Sequence, residues 1–503
     1  MKNFMKVVWV LVAVSQTIVA QKFYSAEQKQ WALAVSAILT ERNQEDLFAL
    51  TGAPQIQLAV DAKKETLVTW WSVDSRKELL EVMRWARDEG HRAVYERIHK
   101  NLDKAGWWPG FQYKIRNAMD PQYQYRCNFV MEHKDDLKAE QLVAWDIGRV
   151  VSLARWGVLC GYLQEEEAWN WIMEAAQQLQ QRYSSWEEFA TNYLLGREFS
   201  TRYRSTDAVH LYHKAAFWNL NNVYSPWKCM EWDLDLSGSN VKPESAELPN
   251  VSDYYLALEY DWDDSADKAV GLLKKVAGKG ESLYRGLAYR RMGHVYEYGR
   301  SGISKNWKKA LEYYEQGAEF SEGNCLFKLG YAHYTGKGRP KDFLKAMDYW
   351  RAAADAGNVD GLTHLGILYS DGKGVEKDVE KAAAYYREAT MWGATSSENN
   401  HAWMMYENPE IWEPDIAIRM AYNGVQKWEC NPHYHTLVKV LMKAERWDEA
   451  GRALNQWQRF DMRNREIYDP VAVPEKFKKL RKQIRDERVE SHRRFVSSGT
   501  AAD

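Results

Sequence analysis

A block of 36 residues recurs in the second half of this 503-residue chain. The clearest copies read Leu329-Gly330, Gly336-Lys337-Gly338, Lys345-Ala346, Tyr349-Trp350 and then Leu365-Gly366, Gly372-Lys373-Gly374, Lys381-Ala382, Tyr385-Tyr386, each anchor advancing by the same step. An earlier copy carries Met292-Gly293, Gly299, Lys309-Ala310 and Tyr313-Tyr314. A fixed period in this range marks a solenoid, because each unit is too small to bury its apolar face except against its neighbours. Such arrays bind other molecules far more often than they transform them.

The residues dictate a unit of two helices. Leu362, Leu365, Gly366 and Tyr369 fall at i, i+3, i+4 and i+7, one face of a helix, and Gly366 leaves room for a second helix to approach. Gly372 and Gly374 end that helix. The following segment, Val375 to Ala389, places Ala382, Tyr385, Tyr386 and Ala389 at helical spacing, and Gly393 stops it.

These anchors resemble the Sel-1-like repeat, a relative of the tetratricopeptide repeat, in three consecutive copies between Leu287 and Gly393. A weaker copy precedes them in Leu256-Ala257, Tyr260, Lys268-Ala269, Leu273 and Gly280. After Gly393 the register fades, and Ala417 to Phe460 reads as a tetratricopeptide-like helical pair closing the array.

The front half is helical without that period. Ser25-Ala26-Glu27-Gln28, Ser75-Arg76-Lys77-Glu78 and Ser184-Ser185 with Glu187 and Glu188 are capping signatures, each opening an amphipathic run. The stretch Leu142 to Gly196 contains Ala144-Trp145-Asp146-Ile147-Gly148-Arg149, Leu153-Ala154-Arg155-Trp156-Gly157, Gly161-Tyr162-Leu163 and Ser184-Ser185-Trp186, with Gly90-His91-Arg92 upstream and Ser225-Pro226-Trp227 downstream. In combination these resemble the bacterial domain-of-unknown-function family 1266, over roughly Leu79 to Asp235. The resemblance implies a helical domain, often near or fused to repeats, and no activity.

The candidate site lies in that stretch. On one helix Asp146 and Arg149 stand three apart, close enough to pair, and Trp145, Arg149, Ser152 and Trp156 share a face. Two readings are open. One is an ion pair that fixes helix register, with Arg155 bonded to a carboxylate or helix end elsewhere. The other is a polar pocket in which Asp146, Arg149, Arg155 and His91 contact a ligand or perform acid-base chemistry.

Other chemistry finds little support. There is no GxxxxGK[ST], HExxH or GxSxG motif. His210 and His213 have a spacing compatible with two metal ligands but lack an obvious third, so no metal and no cofactor is expected. A net charge of −2 argues against a dedicated nucleic-acid binder. The 24 Trp and 30 Tyr are read as core packing, with an aromatic-lined groove as the sharper alternative.

The termini add two expectations. Lys2 and Lys6, the apolar run Val7 to Val14 and Ala20 read as a signal peptide over residues 1–20, hence export, with a cytoplasmic protein as the alternative. The five cysteines are scattered and form no CxxC pair, which leaves the compartment open. Residues 471–503 form a basic amphipathic helix and tail, nine Lys or Arg between Lys476 and Arg494 with a stripe of Phe477, Leu480 and Ile484. That helix either caps the last repeat or contacts an anionic membrane or an acidic partner.

The expected protein is all-α: an irregular helical domain over 21–240, with its core at about 79–235, then an α-solenoid over 241–470. Its expected function is that of a non-enzymatic scaffold or adaptor binding a protein partner through the repeats. Alternatives are an enzyme or ligand-binding protein acting through the front domain, and an envelope protein that neutralises or positions another protein.

Overall fold

The computed structural model describes residues 22–104, 120–200, 206–239, 253–261, 266–279, 282–300, 302–427, 430–464 and 475–499. The proposed signal peptide lies outside them. Regular structure among the described residues is helical, and β-type pairing there is confined to isolated bridges, Phe23 with Ser239 and Arg300 with Ile303. Contacts group the chain into two compact units that are not consecutive in sequence. The first comprises Met1–Asn101, His133–Gly196 and Pro226–Leu256, and the second Leu102–Glu132, Arg197–Ser225 and Ala257–Asp503.

The first unit is built around the helix Val143–Leu159, in which nearly every side chain is buried. A helix buried on every side lies inside its unit, and here Arg76–Asp88 and Glu165–Gln180 pack against it. The capping serines expected from sequence are in place: Ser25 and Gln28 make a reciprocal capping box, and Ser75 accepts from the Glu78 amide. Glu78 reaches back one residue further than expected, to the amide of Asp74.

Four tryptophans of this unit form a core rather than a groove. Trp186 stacks on Trp227 at 5.3 Å and meets Trp31 at 4.9 Å and Trp232 at 4.7 Å. A buried indole N–H needs an acceptor, and each of the four has a backbone carbonyl: Trp31 donates to Glu231, Trp186 to Met230, Trp227 to Ala34 and Trp232 to Tyr183. Segments distant in sequence are thereby tied together.

In the second unit the repeats appear as helical hairpins, Ser282–Tyr298 with Trp307–Ala318, Gly323–Thr335 with Phe343–Asp355, and Val359–Asp371 with Val379–Met391. Asn306, Asp342 and Asp378 cap the second helix of each, their side chains accepting from Lys309, Lys345 and Lys381 amides. A Cβ on Gly293, Gly330 or Gly366 would fall 2.2–2.6 Å from the ring of Tyr314, Trp350 or Tyr386. The Leu-Gly and Tyr-Tyr anchors are therefore two sides of one contact. The stretch of the weaker copy forms the helices Asp253–Asp261 and Ala266–Lys279, of which only the second lies wholly within this unit.

Hairpins continue where the sequence register fades. Ser397–Glu407 pairs with Pro414–Lys427, and Asn431–Lys443 with Trp447–Asn464, so Ala417 to Phe460 spans parts of two hairpins rather than one pair. Ala402, Ala417 and Ala421, all fully buried, take over the close approach. The last helix, Glu475–Gly499, turns Phe477, Leu480 and Ile484 onto this end of the array, where Phe477 meets Trp457 at 5.2 Å. Its apolar stripe is occupied by packing.

The second unit also takes in helix Thr206–Asn221, from the front of the sequence. Lys214 pairs with Asp360 at 3.0 Å, Phe217 meets Trp392 at 5.3 Å, and Asn222 donates to the Ala356 carbonyl. His210 and His213 lie against the Gly393 turn, which places both in packing.

Candidate functional site

Asp146, Arg149 and His91 converge in the first unit, and Arg155 does not join them. The carboxylate of Asp146 is fully buried and lies at the start of the helix Gly90–Lys104. It accepts the amides of His91 at 2.9 Å and Arg92 at 3.1 Å, so it caps that helix from a distance of 55 residues in sequence. Arg92 and Arg149 guanidinium groups add ion pairs at 3.2 and 2.8 Å. Gly90, at φ +60°, makes the approach possible, since a Cβ there would sit 2.2 Å from the Asp146 Cγ.

Burial pushes the Asp146 carboxyl up, but the hydrogen bond from His91 and the charge of Arg149 overcome it and hold the group below its usual range. An ionised carboxylate with amide and guanidinium donors around both oxygens has little capacity left to accept a proton from a substrate. It acts as a lock.

Arg149 is held as firmly. Its Nε donates to the Trp145 carbonyl at 3.1 Å and its guanidinium lies 4.5 Å from the Trp145 ring, 5.1 Å from Trp71 and 5.9 Å from Trp85. The same guanidinium contacts His91 Nδ1 at 2.9 Å, closer than the 3.3 Å from that nitrogen to Asp146.

Arg155 is nine residues beyond Asp146, two and a half helical turns, and so faces the opposite way. Its guanidinium donates instead to the hydroxyls of Ser36 at 2.8 Å and Thr40 at 2.6 Å and to the carbonyls of Leu50, Ala49 and Asp46. This arginine organises the loop ahead of Gln57–Trp71. Beside it the buried Glu45 takes the Trp156 indole N–H at 3.1 Å and Lys63 at 2.5 Å.

Sequence reading missed Arg92, Trp71, Trp85 and the Glu45–Lys63 pair. No local spacing links them to Asp146 or Trp156. The one signal available was Gly90, a glycine between two helices beside His91 and Arg92. Among the described residues no group of His, Cys, Asp or Glu is arranged to hold a metal ion, and no helix is long and apolar enough to cross a membrane.

Comparison with known proteins agrees with both halves of this description. Residues 286–319, 323–358 and 359–391 each match the Sel1 repeat, in register with the three hairpins. The chain carries three Sel1 repeats. Ahead of its Sel1 repeats, residues 66–232 match the family described as a protein of unknown function, DUF1266. One curated relative is the uncharacterized protein YbeR of Escherichia coli strain K12, 28% identical over 145 residues, which are 28% of this chain and 58% of the relative. The chain thus spans less than two thirds of that relative's length.

Solved structures similar to it include a Sel1 repeat protein from Oxalobacter formigenes, 22% identical with a TM-score of 0.33 over 40% of this chain and 86% of the other. Another is a protective antigen present in uropathogenic Escherichia coli strains displaying an SLR fold, 16% identical with a TM-score of 0.36 over 79% of each chain. These are loose likenesses. Nothing about the surface or partners of this protein follows from them.

Proposed function

We propose that this protein is a non-enzymatic scaffold that binds a protein partner through the surface of its Sel1 repeats. The observation that carries the reading is the division of labour within each hairpin. Repeat anchors such as Gly366, Tyr386 and Ala382 are consumed in packing, while large apolar side chains at other positions stand in solvent, Tyr331 at 40% and Met391 at 58% exposure. Exposed apolar groups on a rigid array are what a partner's apolar side chains would cover. The Asp146 cluster supports the reading from the other side, because its donors and acceptors are satisfied by one another.

The exposed basic side chains Lys478, Lys479, Lys482 and Arg485 of the last helix are a further proposed contact, for an acidic partner or an anionic membrane. With its apolar stripe packed, such a contact would be electrostatic and would weaken as salt rises.

The test uses the full chain, because a cut near Ser239 would remove the helices Pro121–Glu132 and Thr206–Asn221 from the second unit. Affinity capture with the intact protein is compared with Tyr331→Ser plus Met391→Ser and with Asp146→Asn. Loss of captured protein in the first variant at unchanged helicity supports the scaffold. Loss confined to the Asp146 variant, with the fold retained, would move the function to the front domain.

A further inference from the structure

The connections between the two helices of successive hairpins lie along one continuous edge. The Trp307 indole donates to the Lys337 carbonyl at 2.8 Å, a Cβ on Gly374 would touch Phe343, and Lys377 donates to Asn408 at 2.6 Å. Each contact joins one connection to the next, so charges on these connections form a row.

That row is polarised from end to end. Residues 299–309 carry four basic side chains and no acidic one, and residues 336–345 carry four basic and one acidic, Asp342, which caps a helix. Residues 371–381 are mixed, with four acidic and three basic. Residues 407–415 carry Glu407, Glu410, Glu413 and Asp415 and no basic side chain. Helix dipoles do not account for this. Every connection joins the C-terminus of one helix to the N-terminus of the next, so the two end charges largely cancel. Arg339 pairs with Glu315, and Lys337 and Lys341 lie over the Trp307 and Phe343 rings, but much of the remaining charge at the two ends makes no ion pair within the unit. Lys305, Lys308, Lys341 and Lys345 are exposed and form no ion pair among the described residues, and the same holds for Glu407, Glu413 and Asp415. Tyr298 and Leu344, 61% and 55% exposed, add apolar area at the basic end.

We infer that this edge is an interface between two copies of the chain, arranged antiparallel about a two-fold axis near the 371–381 connection. A row that is basic at one end and acidic at the other is self-complementary in that orientation. Each basic end then meets the partner copy's acidic end, and the same contact is made twice. A parallel arrangement would set like charge against like. The inference is independent of the foreign partner proposed above.

Sedimentation equilibrium on the full chain tests it. Wild type is expected to dimerise at about 50 mM salt and to dissociate at about 500 mM, where the screening length falls to a few ångströms. The triple variants K337E/K341E/K345E and E410K/E413K/D415K, each checked for native circular dichroism, are expected to self-associate at least tenfold more weakly. Mixed in equal amounts, they should restore a dimer of one of each. A wild type that stays monomeric at low salt, or reversed variants that dimerise as wild type does, would overturn the inference. A monomer whose capture of a foreign protein is lost in one of these variants would also overturn it, and would assign the edge to that protein.

Discussion

Asp146 concentrates the residue-scale physics of the first unit. A buried carboxylate is tolerable only when its ionised form is more than repaid in hydrogen bonds and opposing charge, and Arg92, Arg149 and two amides supply them. Replacing Asp146 by Asn leaves the buried Arg149 and the partly buried Arg92 without their anion, and we expect a loss of about 3–5 kcal/mol in chemical denaturation. A loss under about 1 kcal/mol would mean the cluster is not the lock described. The pH dependence has a definite sign. With its folded pKa below the ordinary 3.8, Asp146 contributes stability that is present above that value and lost as pH falls through the folded one. In Asp146→Asn this part of the acid limb should flatten.

At the scale of elements, the glycine-to-ring contacts hold the hairpins together. Gly366→Ala would drive a methyl group to 2.6 Å from the Tyr386 ring, whereas a Cβ on helical Gly271 meets nothing within 4 Å. The same substitution should therefore act in opposite directions: Gly366→Ala lowers stability by about 1–3 kcal/mol through overpacking, and Gly271→Ala raises it by up to about 1 kcal/mol through helix propensity. Equal effects in thermal melts would refute the assignment. Buried histidines add a second signature. Burial, then the charges of Arg290 and Lys328, push His294 down to about 3, and burial with Arg387 pushes His401 down to about 4. Unfolding frees both to protonate near 6.5, so their contribution is intact above pH 6.5 and declines as pH falls toward 3–4. The slope is up to about 1.4 kcal/mol per pH unit for each histidine. A His294→Asn variant should lose part of it in urea midpoints taken between those pH values, and an unchanged slope would exclude the histidine as the source.

At the scale of the whole molecule, the end of the array depends on its last helix. Phe477 is fully buried against Trp457, and Phe477→Ala should cost about 3–5 kcal/mol and raise protease sensitivity of the C-terminal segment. An unaltered melt would show that the helix does not close the array. The free cysteines fit the same picture of packing: Cys127, Cys160 and Cys325 are buried, and burial pushes the Cys160 thiol up to about 11.

Much of this was legible in the chain. A hairpin repeat is local, so Gly366 and Tyr386, twenty residues apart, reveal their contact through recurrence at 36 residues. The pairing of Asp146 with Arg149 was legible for the same reason, since three residues on a helix share a face. Other features depend on contacts between distant segments, about which spacing is silent. Asp146 capping the helix at Gly90, Arg155 turning to Ser36, Thr40 and the Leu50 carbonyl, and helix Thr206–Asn221 joining the repeats all belong to that class. The sequence by itself determined the three repeat hairpins and their order, because helical periodicity and capping act over a few residues. Only the tertiary structure decided which charged groups meet and which front helices join the repeats, because burying an ionised group requires partners gathered from segments far apart in the chain.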